Sequence, residues 1–308
     1  MILALGSSRD RVYPTLLARL REAGHPFVTV DEDNPEEYTV HREQGNGRFV
    51  YRITGNGCSG KNPVGGIFVR HAVARTLDLA PLGRMGALQL SLNQMLLSTD
   101  CPVINHPSRA YSNYSKPFQV ELLARAGFDV PHSLITNMPD EARRFCKEYD
   151  GDVIFKGTSN VLTLAQRLRS EHVPRIEFLP HCPTLFQEYV PGVDYRVHVV
   201  GDEAFVTRLV SQDEDYRRST LNATEEISAD AATLPPDVIQ KCVTFTKRLG
   251  LIVSGMDFKE TDGGRLVALE CNPYPQFTFY ESRSGQSITQ AVVDYLIQHQ
   301  ISDSNVFA

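Results

Sequence analysis

The chain has 308 residues, 42% of them hydrophobic, which is enough for two or three small domains with real cores. A formal net charge of -6 argues against a nucleic-acid partner held through phosphate contacts and suits a small charged ligand. No apolar run reaches the ~20 residues needed to cross a bilayer, and Met1–Gly6 is followed at once by polar residues, unlike a signal peptide, so a cytoplasmic location with no membrane partner is expected.

The first hundred residues alternate short apolar runs with amphipathic stretches. Ile2–Gly6 predicts a strand, and Arg11–Ala23 a helix with Leu16, Leu17 and Leu20 on one face and Gly24 as its stop. Phe27–Asp31 follows as a strand, then a hairpin around Arg48–Ile53, a strand at Ile67–Arg70, a helix carrying Leu88, Leu92, Met95 and Leu96, and a strand at Pro102–Asn105. Together they predict an open α/β layer over 1–107. The polar, turn-rich Ser108–Ser115 marks a boundary. Beyond it a helix runs from Pro117 to Ala126, a second helix starts at Pro139, and the strand Val153–Lys156 follows, which predicts a small α/β subdomain over 108–184. From Leu185 the pattern changes to long strands in hairpins, interrupted by a helix at Pro236–Leu249 and closed by one at Ser287–Gln298, with a frayed tail; this predicts a third unit, mainly antiparallel sheet, over 185–308.

The segment from Gly255 to Pro273 carries the most chemistry. Asp262-Gly263-Gly264 is a turn between two strand-like runs, and a hairpin centred between Gly263 and Gly264 sets Asp257 directly across from Glu270. Side chains alternate faces along a strand, so Asn272 shares the face of Glu270. Two carboxylates and an amide oxygen on one patch suit Mg²⁺ completed by phosphates and water. The bland alternative is a solvated hairpin face, but like charges placed opposite each other destabilise a sheet unless a cation lies between them.

A second hairpin, from Asp194 to Val210, places Asp194, Arg196 and His198 on one face. Its turn at Gly201-Asp202 is expected to bring Arg208 close to Arg196, and two guanidiniums favour a shared anion such as a triphosphate or acyl phosphate. A solvent-facing strand with salt bridges is the alternative. Lys116, just before Pro117, and Lys156, at the end of an apolar strand, mean little singly; with the hairpins they supply cationic donors for phosphates.

Lys116, Lys156, the run Phe186-Gln187-Glu188-Tyr189-Val190, Asp194-Tyr-Arg-Val, and Asp257 with Glu270-Cys-Asn272 together resemble the ATP-grasp superfamily, over roughly Asn105 to Phe279. Pro183 to Val190, Asp194 to Asp202 and Ser211 to Arg217 look closest to ribosomal-protein glutamate ligases, and closer still to microviridin-type ligases, which close ester and amide rings on a ribosomally made peptide.

The resemblance implies an ATP-grasp fold with an N-terminal α/β domain, a small central subdomain and a C-terminal antiparallel-sheet domain. It implies Lys116 and Lys156 on ATP phosphates, Glu188 with the backbone of Tyr189 and Val190 on adenine beside Gln187, and Asp194 on the ribose. Arg208 and Arg217 would face the transferred phosphoryl group or the acceptor carboxylate, with Arg196 on the anion. Asp257, Glu270 and Asn272 would bind Mg²⁺, or Mn²⁺ in its place. One departure stands: Gly157-Thr-Ser-Asn runs into Val-Leu-Thr-Leu-Ala with no glycine cluster, which leaves the phosphate lid unassigned.

The implied chemistry is attack of a carboxylate on the γ-phosphate of ATP, then displacement of phosphate by an amine or hydroxyl. The partner would be a peptide acceptor, with a free amino acid or small metabolite as the alternative and a silent nucleotide-binding module behind it; a homodimer accords with the superfamily. The six cysteines show no CxxC pair and no zinc spacing, so they are read as reduced, and no covalent enzyme intermediate is required. His198 is read as a phosphate-side or structural residue rather than a general base.

Overall fold

The computed structural model describes residues 1–45, 48–70, 84–158, 165–210 and 228–308. The first part runs β1 (Ile2–Gly6), α1 (Val12–Glu22), β2 (Phe27–Asp31), β3 (Tyr38–Gly45), β4 (Arg48–Gly55), β5 (Cys58–Ser59), β6 (Gly66–Arg70), α2 (Arg84–Ser98) and β7 (Val103–Ile104). Strands β2-β1-β6-β7 form a parallel sheet. Every residue of β1 and β6 is buried, because both faces of that sheet are covered, and so Ile2–Gly6 and Gly66–Val69 are continuously apolar instead of alternating, with the buried Arg70 at the end of β6 paired to Asp10. The hairpin expected at Arg48–Ile53 is longer: β4 pairs with β3, whose outward residues His41 to Gln44 are too polar to announce a strand.

The middle part comprises α3 (Lys116–Arg125), β8 (Ser133–Thr136), α4 (Pro139–Glu148), β9 (Val153–Gly157), β10 (Gln166–Arg167) and β11 (Thr184–Glu188). Its sheet has the order β10-β9-β11-β8 and is antiparallel throughout. A boundary at 184/185 therefore falls within β11, which pairs on both sides inside this sheet. Ala142, Phe145, Ile176 and Leu179 cover one face through Val153 and Phe186.

The last part contains β12 (Val193–Val200), β13 (Glu203–Val210), β14 (Ser228–Ala232), α5 (Pro236–Arg248), β15 (Val253–Glu260), β16 (Leu266–Asn272), α6 (Thr278–Ser284), α7 (Ile288–Gln298) and β17 (Val306–Phe307). The sheet order is β14-β13-β12-β15-β16. One face packs on α5 and α3 through Val197, Val199, Phe245, Phe258 and Leu123. Helix α7 folds back beside α1, where Ile288, Val292 and Leu296 join Ile2, Ala4 and Phe68 in a single core. The tail is not frayed: β17 pairs with β4, and Val306 and Ala308 are fully buried against Tyr51 and Ile53. No helix among the described residues is long and apolar enough to cross a membrane.

Candidate active site

The central and C-terminal sheets face each other across a cleft. One wall presents Ile154 and Lys156 from β9 and Gln187 and Glu188 from β11; the other presents Asp194 from β12, Asp257 and Lys259 from β15, and Leu269 and Glu270 from β16. Tyr189 and Val190, in the connection between β11 and β12, also line it, as do Pro131 and Arg167, and the Arg167 guanidinium lies 4.2 Å from the centre of the Tyr189 ring.

Strand periodicity builds the acidic wall. Asp257 pairs with Glu270 and Gly255 with Asn272, so Asn272, two residues beyond Glu270, shares its face. A bulge after Asp257 inserts Leu269 as an extra residue in β16, so adjacent Leu269 and Glu270 both reach the cleft. The amide oxygen of Asn272 accepts from the Tyr274 N–H at 2.9 Å, turning the chain out of the sheet, and Asn272 does not line the cleft itself.

Paired carboxylates repel, and each here has a cation. Arg196 Nη1 donates to Asp257 Oδ1 at 2.6 Å, and Lys116 Nζ to Glu270 Oε2 at 2.6 Å. These side chains are close to fully buried: 5% and 10% exposed for Arg196 and Asp257, 7% and 12% for Lys116 and Glu270.

Helix α3 delivers Lys116. Ser115 caps its first turn by accepting from the Phe118 N–H, Pro117 sits inside that turn, and Lys116, Gln119 and Leu123 form its buried face. Gln119 both donates to the Cys271 carbonyl at 2.6 Å and accepts from the Cys271 N–H at 3.1 Å. Strand β16 is the edge of its sheet, so a helix side chain takes the place of a neighbouring strand between Glu270 and Asn272.

Arg196 sits in a cage. Its Nε donates to His198 Nε2 at 3.4 Å, its guanidinium lies 5.6 Å from the Tyr280 ring centre, and it crosses Gly255 so closely that a Cβ there would lie 2.3 Å from Nη2. His198 is wholly buried, edge-on to Tyr280. Burial first, and the Arg196 charge second, hold its pKa well below the ordinary 6.5, so the ring is a neutral acceptor. That makes His198 a structural support for Arg196 rather than a phosphate contact.

Farther along the cleft, Lys259 donates to Asp194 Oδ2 at 2.9 Å and to the Gly192 carbonyl at 3.3 Å. Glu188 Oε1 accepts from the His132 N–H at 3.2 Å and from Arg265 at 3.1 Å. The Tyr189 N–H donates to the Asp152 carbonyl at 2.9 Å, so that residue offers a ligand its carbonyl and ring instead. Gln187 donates to the Ser133 hydroxyl at 2.8 Å.

Arg208 requires a correction. The two-residue turn at Gly201-Asp202 sets Val200 opposite Glu203, so Thr207 faces Arg196 and Arg208 faces Tyr195, on the other side of the sheet. A register count off by one flips the face, and Arg208 does not line the cleft. Arg217, the stretch from Ser211 to Arg217, and most of the segment after Gly157 lie outside the described residues.

Sequence reasoning passed over Lys259, Gln119, Gly255 and Asn105. Lys259 had a local signal, being two residues from Asp257 on one strand. Asn105 had none: its side chain donates to the Val253 and Pro273 carbonyls at 2.6 and 2.5 Å and accepts from Ile252 and Val253 N–H at 2.9 and 3.0 Å, tying β7 to both ends of the acidic hairpin.

The donor set fits a hard, oxygen-seeking cation such as Mg²⁺. Among the described residues no three His, Cys, Asp or Glu side chains come together, so coordination beyond Asp257 and Glu270 would draw on Asn272, phosphate oxygens and water.

A RimK-like ATP-grasp domain matches residues 114–296. The chain belongs to that family. The ATP-grasp ligase PsnB, solved with a minimal precursor, aligns with a TM-score of 0.80 at 29% identity, covering 97% of this chain and 98% of PsnB. A further PsnB structure, with minimal precursor, Mg and ADP, aligns at 30% identity with a TM-score of 0.78, covering 97% of this chain and 96% of that one. The macrocyclase MdnC of Microcystis aeruginosa MRC, bound with precursor peptide MdnA, shares the fold: TM-score 0.78, 22% identity, 96% of this chain and 99% of MdnC. A probable alpha-L-glutamate ligase of Haemophilus influenzae is 26% identical over 199 residues, 61% of this chain. The match spans 65% of that relative's length. The fold is thus the ATP-grasp fold, with the cleft between its two sheets.

Proposed function

We propose that this RimK-like protein is an ATP-dependent ligase that joins a carboxylate to an amine or hydroxyl on a ribosomally made peptide, through an acyl phosphate. The observation that carries the reading is the cleft itself, with Lys156 on one wall and the neutralised pair Asp257 and Glu270 on the other. Near full-length similarity to PsnB, a ligase solved with its precursor, supports the peptide. The three-part division at 1–107, 108–184 and 185–308 belongs to this reading, with β11 counted in the central sheet and α7 and β17 packed on the first part.

In this reading Gln187, Glu188, Tyr189 and Val190 bind the base, Asp194 oriented by Lys259 binds the ribose, and Lys116, Lys156 and Arg196 hold phosphates. Asp257, Glu270 and Asn272 would hold Mg²⁺, or Mn²⁺ in its place. The metal when bound supplies positive charge next to the triphosphate. Arg217 keeps its role at the acceptor or phosphoryl group, while Arg208 is left out. A substrate carboxylate oxygen bonds to the γ-phosphorus, the bond to the bridging oxygen breaks and ADP leaves. The amine or hydroxyl then attacks the acyl carbon, phosphate departs with the bonding pair, and the nucleophile's proton passes to solvent. The protein positions the reactants and stabilises developing negative charge, chiefly through Lys156 and Arg196. No thiol is needed: burial pushes the Cys271 thiol up to about 12.

ADP release on a peptide substrate tests the reading. Glu270→Gln should lower it by roughly 10²-fold or more, the scale for losing one stabilising group; an unchanged rate would show the metal site to be misplaced. If free amino acids alone drive turnover, a small-metabolite ligase replaces the peptide reading, in line with the glutamate-ligase relatives.

A further inference from the structure

The geometry points to Arg265 as a positioning residue for the nucleobase: it holds one oxygen of the Glu188 carboxylate and so leaves the other to accept from the exocyclic amino group of adenine. This rests on the base-binding role proposed above for Glu188, whose side chain lines the cleft and is 16% exposed. Both donors that reach the carboxylate use the same oxygen. Oε1 accepts from the His132 N–H at 3.2 Å and from Arg265 Nη2 at 3.1 Å, and among the described residues no donor reaches Oε2. The last torsion of a glutamate is soft, so a carboxylate held by one donor would turn freely. Two donors, from the residues that precede β8 and β16, fix it.

Arg265 is itself seated. Its Nε and Nη2 donate to the two oxygens of Asp129 at 2.6 and 3.2 Å, a two-pronged contact that suits a guanidinium and not an ammonium. Asp129 is tied in turn to β16, its carbonyl accepting from the Ala268 N–H at 2.8 Å. Thr261 closes the β15–β16 turn on Arg265, donating its N–H to the Arg265 carbonyl at 2.9 Å and accepting the Arg265 N–H on its hydroxyl at 3.1 Å. The acidic hairpin thus carries Asp257 and Glu270 on its strands and, beside its turn, the arginine that orients the base contact. A carboxylate accepts and does not donate, whereas the 6-amino group of adenine donates, so the gain falls on that group. With Arg265 and Asp129 43% and 47% exposed, their pair contributes little to stability, and a substitution at Arg265 reads position rather than folding.

Calorimetry on the full chain, wild type and Arg265→Gln, compares binding of ADP with binding of purine riboside diphosphate, which is ADP without the 6-amino group, both in the presence of Mg²⁺. No peptide is required. Wild type should bind ADP at least about tenfold more tightly than the analogue, the scale of one hydrogen bond to a charged group. Arg265→Gln should lose about fivefold or more in affinity for ADP and less than about twofold for the analogue, because only ADP carries the group that the aimed oxygen serves. Equal losses for the two ligands overturn the inference, since the arginine then supports the cleft without aiming Glu188. An unchanged affinity for ADP overturns it as well. If wild type binds both ligands equally, the base-binding role of Glu188 fails and the inference with it; if wild type binds neither, it is nucleotide binding in the cleft that fails.

Discussion

Replacing Gly255 with alanine adds one methyl group, and the consequences can be worked from contacts. The Gly255 backbone is not in the left-handed region, so alanine is conformationally allowed and would by itself stabilise by about 0.5–1 kcal/mol through the unfolded chain. The new Cβ would lie 2.3 Å from Arg196 Nη2 and 2.7 Å from both Cζ and Nε. Were Arg196 a surface side chain it would swing aside; 5% exposed and enclosed by His198, Tyr280 and Asp257, it cannot. Overpacking costs about 1–3 kcal/mol, and loosening the charged hydrogen bond to Asp257 about 1.5–3 more, so net destabilisation of about 1.5–5.5 kcal/mol is expected. Urea unfolding of Gly255→Ala measures this directly, with ADP release falling in parallel. The double-mutant cycle isolates the cause: in an Arg196→Ala background the methyl has nothing to strike, and its cost should fall below about 1 kcal/mol. Equal losses in both backgrounds would refute the seating of Arg196 on Gly255.

Two further predictions follow from the buried polar groups around the site. The folded pKa of His198 is depressed, so its contribution to stability is present above the unfolded value near 6.5 and is lost as pH falls toward the folded value, by up to ~1.4 kcal/mol per pH unit. Melting of wild type and His198→Gln compared between pH 7.5 and 5.5 should show a shallower decline for the variant, and parallel curves would contradict a neutral buried imidazole. Asn105→Leu removes four hydrogen bonds to the ends of the acidic hairpin and should cost about 3 kcal/mol or more in urea unfolding. A change under 1 kcal/mol would show that those backbone groups find other partners.

Local chemistry made much of this protein legible in its sequence. Apolar runs marked β1, β6 and β9, glycines and prolines marked helix ends, and the Asp262-Gly263-Gly264 turn marked the acidic hairpin. But the hairpin is centred on Gly263, with Glu260 opposite Leu266, so the turn alone would set Asp257 across from Leu269, and the bulge at Leu269 is what brings Glu270 opposite Asp257. The same arithmetic was available for Arg208, where the turn at Gly201-Asp202 makes Thr207 the partner of Arg196. The bulge at Leu269 was not legible, since no glycine or proline marks it.

Which cation meets which carboxylate was decided in three dimensions. Arg196 reaches Asp257 because β12 lies next to β15 although some sixty residues separate them, and Lys116 reaches Glu270 across 154 positions because α3 docks on the edge strand β16. The return of α7 and β17 to the N-terminal layer is of the same kind. Periodicity and turns record what a residue requires of its near neighbours; the order of strands and the docking of a helix on a sheet edge depend on burying apolar faces supplied by distant segments, and only the folded chain brings those segments together.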